Sequence, residues 1–126
     1  MERSPSIERI TFPDGNWWEI STTWTVKQER DWLTMSVSAV TESDPSDLIQ
    51  LVDQLVVDAT VAWSYRTRRR FFGSRPLPVC RESLLNHIPL SHFHQVTERM
   101  AEIYGPLVRT AAERLAKNYS SLSNEE

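Results

Sequence analysis

The chain has 126 residues, 14 Lys and Arg against 17 Asp and Glu, a formal net charge of −3 and one cysteine. A chain of this length makes one compact domain that needs no metal or disulfide to hold it. A hydrophobic share of 40% and a charged share of 25% exclude wholesale disorder. The longest nearly apolar run, Leu55 to Trp63, is interrupted by Asp58 and is too short to span a bilayer. Met1-Glu2-Arg3-Ser4-Pro5 has none of the apolar character of a signal segment, and the lone Cys80 suits a reducing cytoplasm.

Residues 6–26 read as a β-hairpin. Ile10 and Phe12 share a face at period two. Pro13-Asp14-Gly15-Asn16 is a turn, and Trp18, Ile20, Thr22 and Trp24 alternate beyond it. A hairpin alone is marginal in water, so its apolar face must pack on something further. From Lys27 the period lengthens. Trp32, Met35 and Ala39 predict a helix over 27–40, and Thr41–Pro45 breaks it.

Ser46 or Asp47 then caps a central helix whose stripe is Leu48, Leu51, Val52, Leu55, Ala59 and Ala62, ending near Trp63 and Tyr65. Ile49, Val56 and Val57 widen that stripe, so more than one neighbour is expected. The segment 66–78 lacks periodicity and reads as a basic loop. Cys80–His87 reads as a short helix. Ser91 caps another, carrying Phe93, Val96, Met100 and Ile103. Gly105-Pro106 is expected to break or kink it. A last helix follows from about Pro106 to Asn118, with Leu107, Val108, Ala111, Ala112 and Leu115 inward, before a flexible tail at 120–126. The expected fold is a single domain over 1–119, mainly α (α+β). An N-terminal β-hairpin packs on a small bundle of about four to five helices.

Little in the chain suggests catalysis. It holds no GxSxG elbow, no phosphate-cradling glycine loop and no HExxH. His92 and His94 are two apart and point about 200° apart on a helix, and Cys80 has no second cysteine at zinc spacing. The histidines read as surface or cap residues. No enzyme activity, metal or cofactor is expected.

Charge is unevenly spread. Residues 40–60 carry only acidic charges, whereas 66–81 carry only Arg66, Arg68, Arg69, Arg70, Arg75 and Arg81. The Arg66–Phe72 run pairs arginines with Phe71 and Phe72, a pattern that suits phosphates and unpaired bases, an acidic protein face, or simply a solvated loop. Four of the five tryptophans, Trp17, Trp18, Trp24 and Trp32, fall within residues 17–32. The fifth, Trp63, is expected under the hairpin. Adjacent Trp17 and Trp18 must face opposite sides of a strand, which turns one of them toward an interface.

Thr11-Phe12-Pro13-Asp14-Gly15-Asn16-Trp17-Trp18-Glu19-Ile20 resembles the "LPDGxWVEI"-like opening of the tail assembly chaperones of long-tailed bacteriophages. Ala62-Trp63-Ser64-Tyr65, then Pro76-Leu77-Pro78-Val79 and Glu82-Ser83-Leu84, is similar to that family's "W-S … PLPVT-x-ESL" stretch. Ile88-Pro89-Leu90-Ser91-His92-Phe93 matches its link into a closing helix. The likeness covers residues 7–26 and 55–104 in order. The chain departs from the pattern at Cys80, where a threonine would cap the short helix, and in its long basic loop.

The resemblance implies a non-catalytic protein of the host bacterial cytoplasm. It would bind the helix-rich tape-measure protein, help recruit the tail-tube protein, and leave before the virion is complete. On that reading the surfaces to test are Trp17, Trp18 and Trp24, the central-helix residues Leu48, Leu51, Leu55 and Val56, and the loop residues Arg68, Arg69, Arg70, Phe71 and Phe72. Self-association is expected from the surplus of apolar surface, and membrane binding is not. The alternatives are a structural neck or tail protein of the virion, or a small nucleic-acid-binding regulator using the Arg66–Phe72 loop.

Overall fold

The computed structural model describes residues 6–40, 45–69 and 73–124. The hairpin forms as β1 (Ile7–Thr11) and β2 (Trp17–Ser21), antiparallel, with Ile10 opposite Trp18. Its turn follows from its residues. Gly15 adopts a φ of 91°, the Asn16 N–H donates to Asp14 Oδ1 at 2.9 Å, and the Phe12 N–H closes on the Asn16 carbonyl at 2.8 Å.

β2 stops at Ser21, short of the expected bound at Val26. The Ser21 hydroxyl turns back onto the Thr23 carbonyl at 2.7 Å, and Thr25 opens a helix. The Gln28 N–H donates to Thr25 Oγ1 at 3.2 Å while the Thr25 N–H donates to Gln28 Oε1 at 2.7 Å, a reciprocal capping box. This cap starts α1 (Val26–Val40), close to the expected helix. Trp24 therefore lies in the connection and not on the sheet.

The central helix, α2 (Pro45–Ala59), is shorter than expected. The chain passes directly into β3 (Thr60–Trp63), which pairs antiparallel with β2 to give the sheet order β1-β2-β3. The spacing of Ala59 and Ala62 continues the helical pattern and hides this switch. Thr60, Val61 and Trp63 are nonetheless the side chains a pleated strand favours. Thr60 fixes the junction. Its hydroxyl donates to the Val56 carbonyl at 2.7 Å and accepts the Trp18 indole N–H at 2.9 Å.

The expected basic loop contains a second hairpin, β4 (Arg66–Arg69) with β5 (Gly73–Pro76), Arg66 lying opposite Pro76. After α3 (Arg81–His87), α4 runs unbroken from Leu90 to Asn124. It passes through the expected break at Gly105-Pro106 and through most of the expected tail. Pro106 removes one helical N–H. The inward row Val96, Met100, Tyr104, Val108 and Ala111 keeps its phase through that point, so packing outweighs the lost bond.

The core joins Phe12, Trp18 and Ile20 of the hairpin to Val56 and Ala59 of α2, Trp63, Tyr65 and Leu77 of the middle segment, Leu84 of α3, and Val96, Met100 and Tyr104 of α4. Trp18 and Trp63 meet edge to face at 5.2 Å, and the Trp63 indole N–H donates to the Leu77 carbonyl at 2.7 Å. Both buried indoles are thus satisfied. The chain is α+β and mainly helical, with its N-terminal sheet packed on four helices among the described residues.

Candidate binding surface

The structure separates the expected partner-binding residues into core and surface. Trp18, Leu55 and Val56 are core residues. None of the three is more than 2% exposed, so they have no surface to offer a partner. Trp24 is half-buried and stacks on Tyr104 with ring centroids 5.6 Å apart. Trp32 completes that cluster at 5.4 Å, and the Tyr104 hydroxyl donates to the Ser21 carbonyl. Trp17 faces the other side of the sheet, half-buried, with the Arg9 guanidinium 4.0 Å from its ring centroid. Leu48 and Leu51 are half-buried on α2. Arg68 and Arg69 have their backbone in β4. Arg70, Phe71 and Phe72 lie outside the described residues.

His92, expected as a surface or cap residue, is instead buried. Its ring stacks on Phe12 at 3.8 Å, its Nδ1 lies 2.6 Å from the Tyr65 hydroxyl, and its Nε2 lies 3.4 Å from Asp14 Oδ2. Burial pushes the Tyr65 phenol pKa up, so the hydroxyl stays protonated beside Nδ1. Ser64 closes the same corner. Its hydroxyl accepts the Trp17 N–H at 2.7 Å and bonds Asn16 Oδ1 at 3.0 Å. This arrangement clasps the hairpin turn to the 63–65 segment and to α4. Tyr65 and His92 are buried in it and Asp14 is exposed at its edge. Nothing local in the sequence links Asp14, Ser64, Tyr65 and His92.

The surface that stands out lies between α2, α3 and the start of α4. Ile49 and Asp53 are four apart on α2 and share a face. Leu84 and Leu85 come from α3, Ile88 from the link, and Leu90 and Phe93 from α4. Together they line a groove of about 300 Å³. Its rim is apolar and open to solvent, with Leu90 67%, Ile49 59% and Leu85 54% exposed. Asp53 is the exception within it.

The Asp53 side chain is only 8% exposed, its Oδ2 has no hydrogen-bond partner, and the nearest cation, Arg81 Nε, stands 3.8 Å away. Burial raises its carboxyl pKa above the ordinary aspartate value, with Arg81 acting in the opposite direction. A smaller apolar cavity of about 210 Å³ lies between α1, α2 and α4, bounded by Trp32, Met35, Val52, Leu55 and Met100. Sequence periodicity could place Ile49 and Asp53 on one face. It could not bring α3 and α4 against them.

Among the described residues no group of three or more His, Cys, Asp or Glu side chains is placed to hold a metal ion. No helix among them is long and apolar enough to cross a membrane. Comparison with protein-family models, with curated proteins and with solved structures gave no match.

Proposed function

We propose that the chain is a non-catalytic tail assembly chaperone that holds a helical segment of a phage tape-measure protein and assists tail-tube assembly in the bacterial cytoplasm. The observation that carries this reading is the open apolar groove of Ile49, Leu85, Leu90 and Phe93, whose helical walls suit an amphipathic helix laid between them. The clasp adds support. Two of the stretches that resemble the chaperone family, Thr11–Ile20 and Ala62–Tyr65, pack on each other through Trp17 with Ser64 and through Trp18 against Trp63 and Tyr65.

The test is co-expression of the tagged chain with the tape-measure protein of the same genome. The tape measure is expected to be soluble and to co-purify, and to be largely insoluble when made alone. A tape measure that is equally soluble without the chain and is not retained by it contradicts the reading. Recovery of the chain from mature particles would point instead to a neck or tail component of the virion.

A second reading rests on the β4–β5 hairpin, where Arg66 and Arg75 are exposed on a basic ribbon. That reading expects nucleic-acid retention that falls steeply with salt and is lost in Arg69→Ala with Arg70→Ala.

A further inference from the structure

The β4–β5 hairpin stands apart from the core. β5 is exposed along its whole length, and the two strands pack chiefly on each other. A two-stranded ribbon of this kind is marginal in water unless something lies against it. Its base is fixed, because the Leu77 N–H donates to the Tyr65 carbonyl at 2.9 Å and Leu77 is buried. Composition gives the charge of what would cover the rest. Five of the chain's 14 basic residues fall within residues 66–75, and none of its 17 acidic residues does. Arg9, Arg81, Arg99 and Arg114 each meet a carboxylate, whereas Arg66 and Arg75 form no ion pair among the described residues. We propose that this hairpin is an arm that enters the major groove of duplex DNA, the arginines of its two faces meeting the phosphates of the two strands. The proposal rests on the second reading above, nucleic-acid retention by the basic ribbon, and names the form of nucleic acid.

Register puts the charge on both faces. Thr67 lies opposite Arg75 and is one position along β4 from Arg66, so Arg66 and Arg75 stand on opposite faces of the ribbon. Both are exposed. A flat acidic protein surface would meet one face and leave the other bare, whereas a groove has a phosphate wall on each side. The dimensions agree. The major groove of B-DNA is about 12 Å wide and about 8.5 Å deep and admits a two-stranded ribbon. At about 3.3 Å per residue, Arg66 lies about 10 Å and Arg75 about 7 Å back from the Arg69–Gly73 pair at the end of the ladder. Inserted to the depth of the groove, the hairpin brings both arginines to the height of the phosphates. The major groove of duplex RNA is too narrow for such a ribbon.

Arg66 is already held across the ribbon. Its Nε donates to Ser74 Oγ at 2.8 Å and its Nη2 to the Ser74 carbonyl at 3.0 Å, so little freedom is lost when its remaining N–H groups take a phosphate. Outside the arm acidic residues outnumber basic ones, which keeps the body off the duplex and presents the hairpin first.

The test is fluorescence anisotropy of the full chain with a labelled DNA duplex of about 20 base pairs, at about 50 and about 200 mM salt. Affinity is expected to fall about a hundredfold between the two, as for about four neutralised phosphates. Arg66→Gln with Arg75→Gln should weaken binding at the lower salt about tenfold or more and flatten the salt dependence. Arg66→Lys with Arg75→Lys should restore both. That pair keeps the charge, so it separates a lost phosphate contact from a damaged ribbon. Unlabelled duplex DNA should compete better than its single strand, duplex RNA or poly-glutamate.

Binding unchanged by the glutamine pair overturns the inference. Equal competition by poly-glutamate does so in favour of an acidic protein face. Equal competition by single-stranded DNA or duplex RNA overturns the major-groove inference and leaves the nucleic-acid reading. Absence of binding to any nucleic acid at the lower salt removes both.

Discussion

Asp53 is a buried carboxylate whose oxygen Oδ2 has no hydrogen-bond donor. Burial raises its pKa in the fold above the unfolded value. Its contribution favours the folded state below the ordinary aspartate range, near pH 3.9, and is lost as pH rises through the raised value. At neutral pH the ionised carboxylate, buried without a hydrogen-bond donor and with Arg81 3.8 Å away, costs stability. Asp53→Asn should therefore raise stability at pH 7 by about 1–2 kcal/mol, with the gain shrinking toward pH 3 in denaturant titrations. A loss of stability at pH 7 would mean that the carboxylate is answered in solution. Cys80 is a second local defect. It occupies the cap position of α3 with no side-chain cap bond, so Cys80→Ser should add about 1 kcal/mol, read as a shift in the unfolding midpoint.

The tryptophans show what a single residue type discloses. Alternation placed Trp17 and Trp18 on opposite faces, and they are. Which face was core depended on β3, a strand the helical spacing of Ala59 and Ala62 concealed. Trp18 is buried because Trp63 and Thr60 of that strand lie against it. Trp17 on the other face has the Arg9 guanidinium over its ring.

At the scale of elements, the parts specified locally were legible. The Pro13–Asn16 turn, the first helix and the short helix before Pro89 all follow from residues within a few positions of each other. The β4–β5 pairing and the continuity of α4 depend on partners distant in sequence. Gly105 makes the point testable. It sits inside α4, and a Cβ there would meet nothing within 4 Å. Gly105→Ala should thus stabilise the fold by about 1 kcal/mol. A destabilisation of that size in urea melts would indicate that the helix bends there.

The sheet is tied to α4 by Arg99, which bonds both Glu8 oxygens at 2.5 and 2.7 Å. The Arg99 hydrogen bonds hold the Glu8 carboxyl below its ordinary pKa. That contribution is present above the unfolded glutamate range, near pH 4.3, and fades as pH falls through the lowered value, the opposite sign to Asp53. Glu8→Gln should destabilise at pH 7 and leave stability unchanged near pH 2. An equal loss at both pH values would assign the effect to packing.

For the whole molecule, the separation of core from surface relocates the proposed binding face. The expected central-helix contacts Leu55 and Val56 hold the sheet and α4 together, and the open face of α2 is instead Ile49 with the neighbouring Leu85 and Leu90. The sequence contained these leucines, but only the packing of α3 and α4 against α2 makes them one groove. The clasp of Asp14, Ser64, Tyr65 and His92 acts at the same scale, since it ties the hairpin turn to the segment after β3 and to α4.

The most direct measurement is tape-measure capture by three forms of the tagged chain: wild type, Leu85→Ser with Leu90→Ser, and Trp17→Ala, each confirmed folded by circular dichroism. Capture is expected in the wild type and in Trp17→Ala and should be lost in the double leucine variant. Capture that survives in the leucine variant and disappears in Trp17→Ala would contradict the account and move the client to the outer face of the sheet.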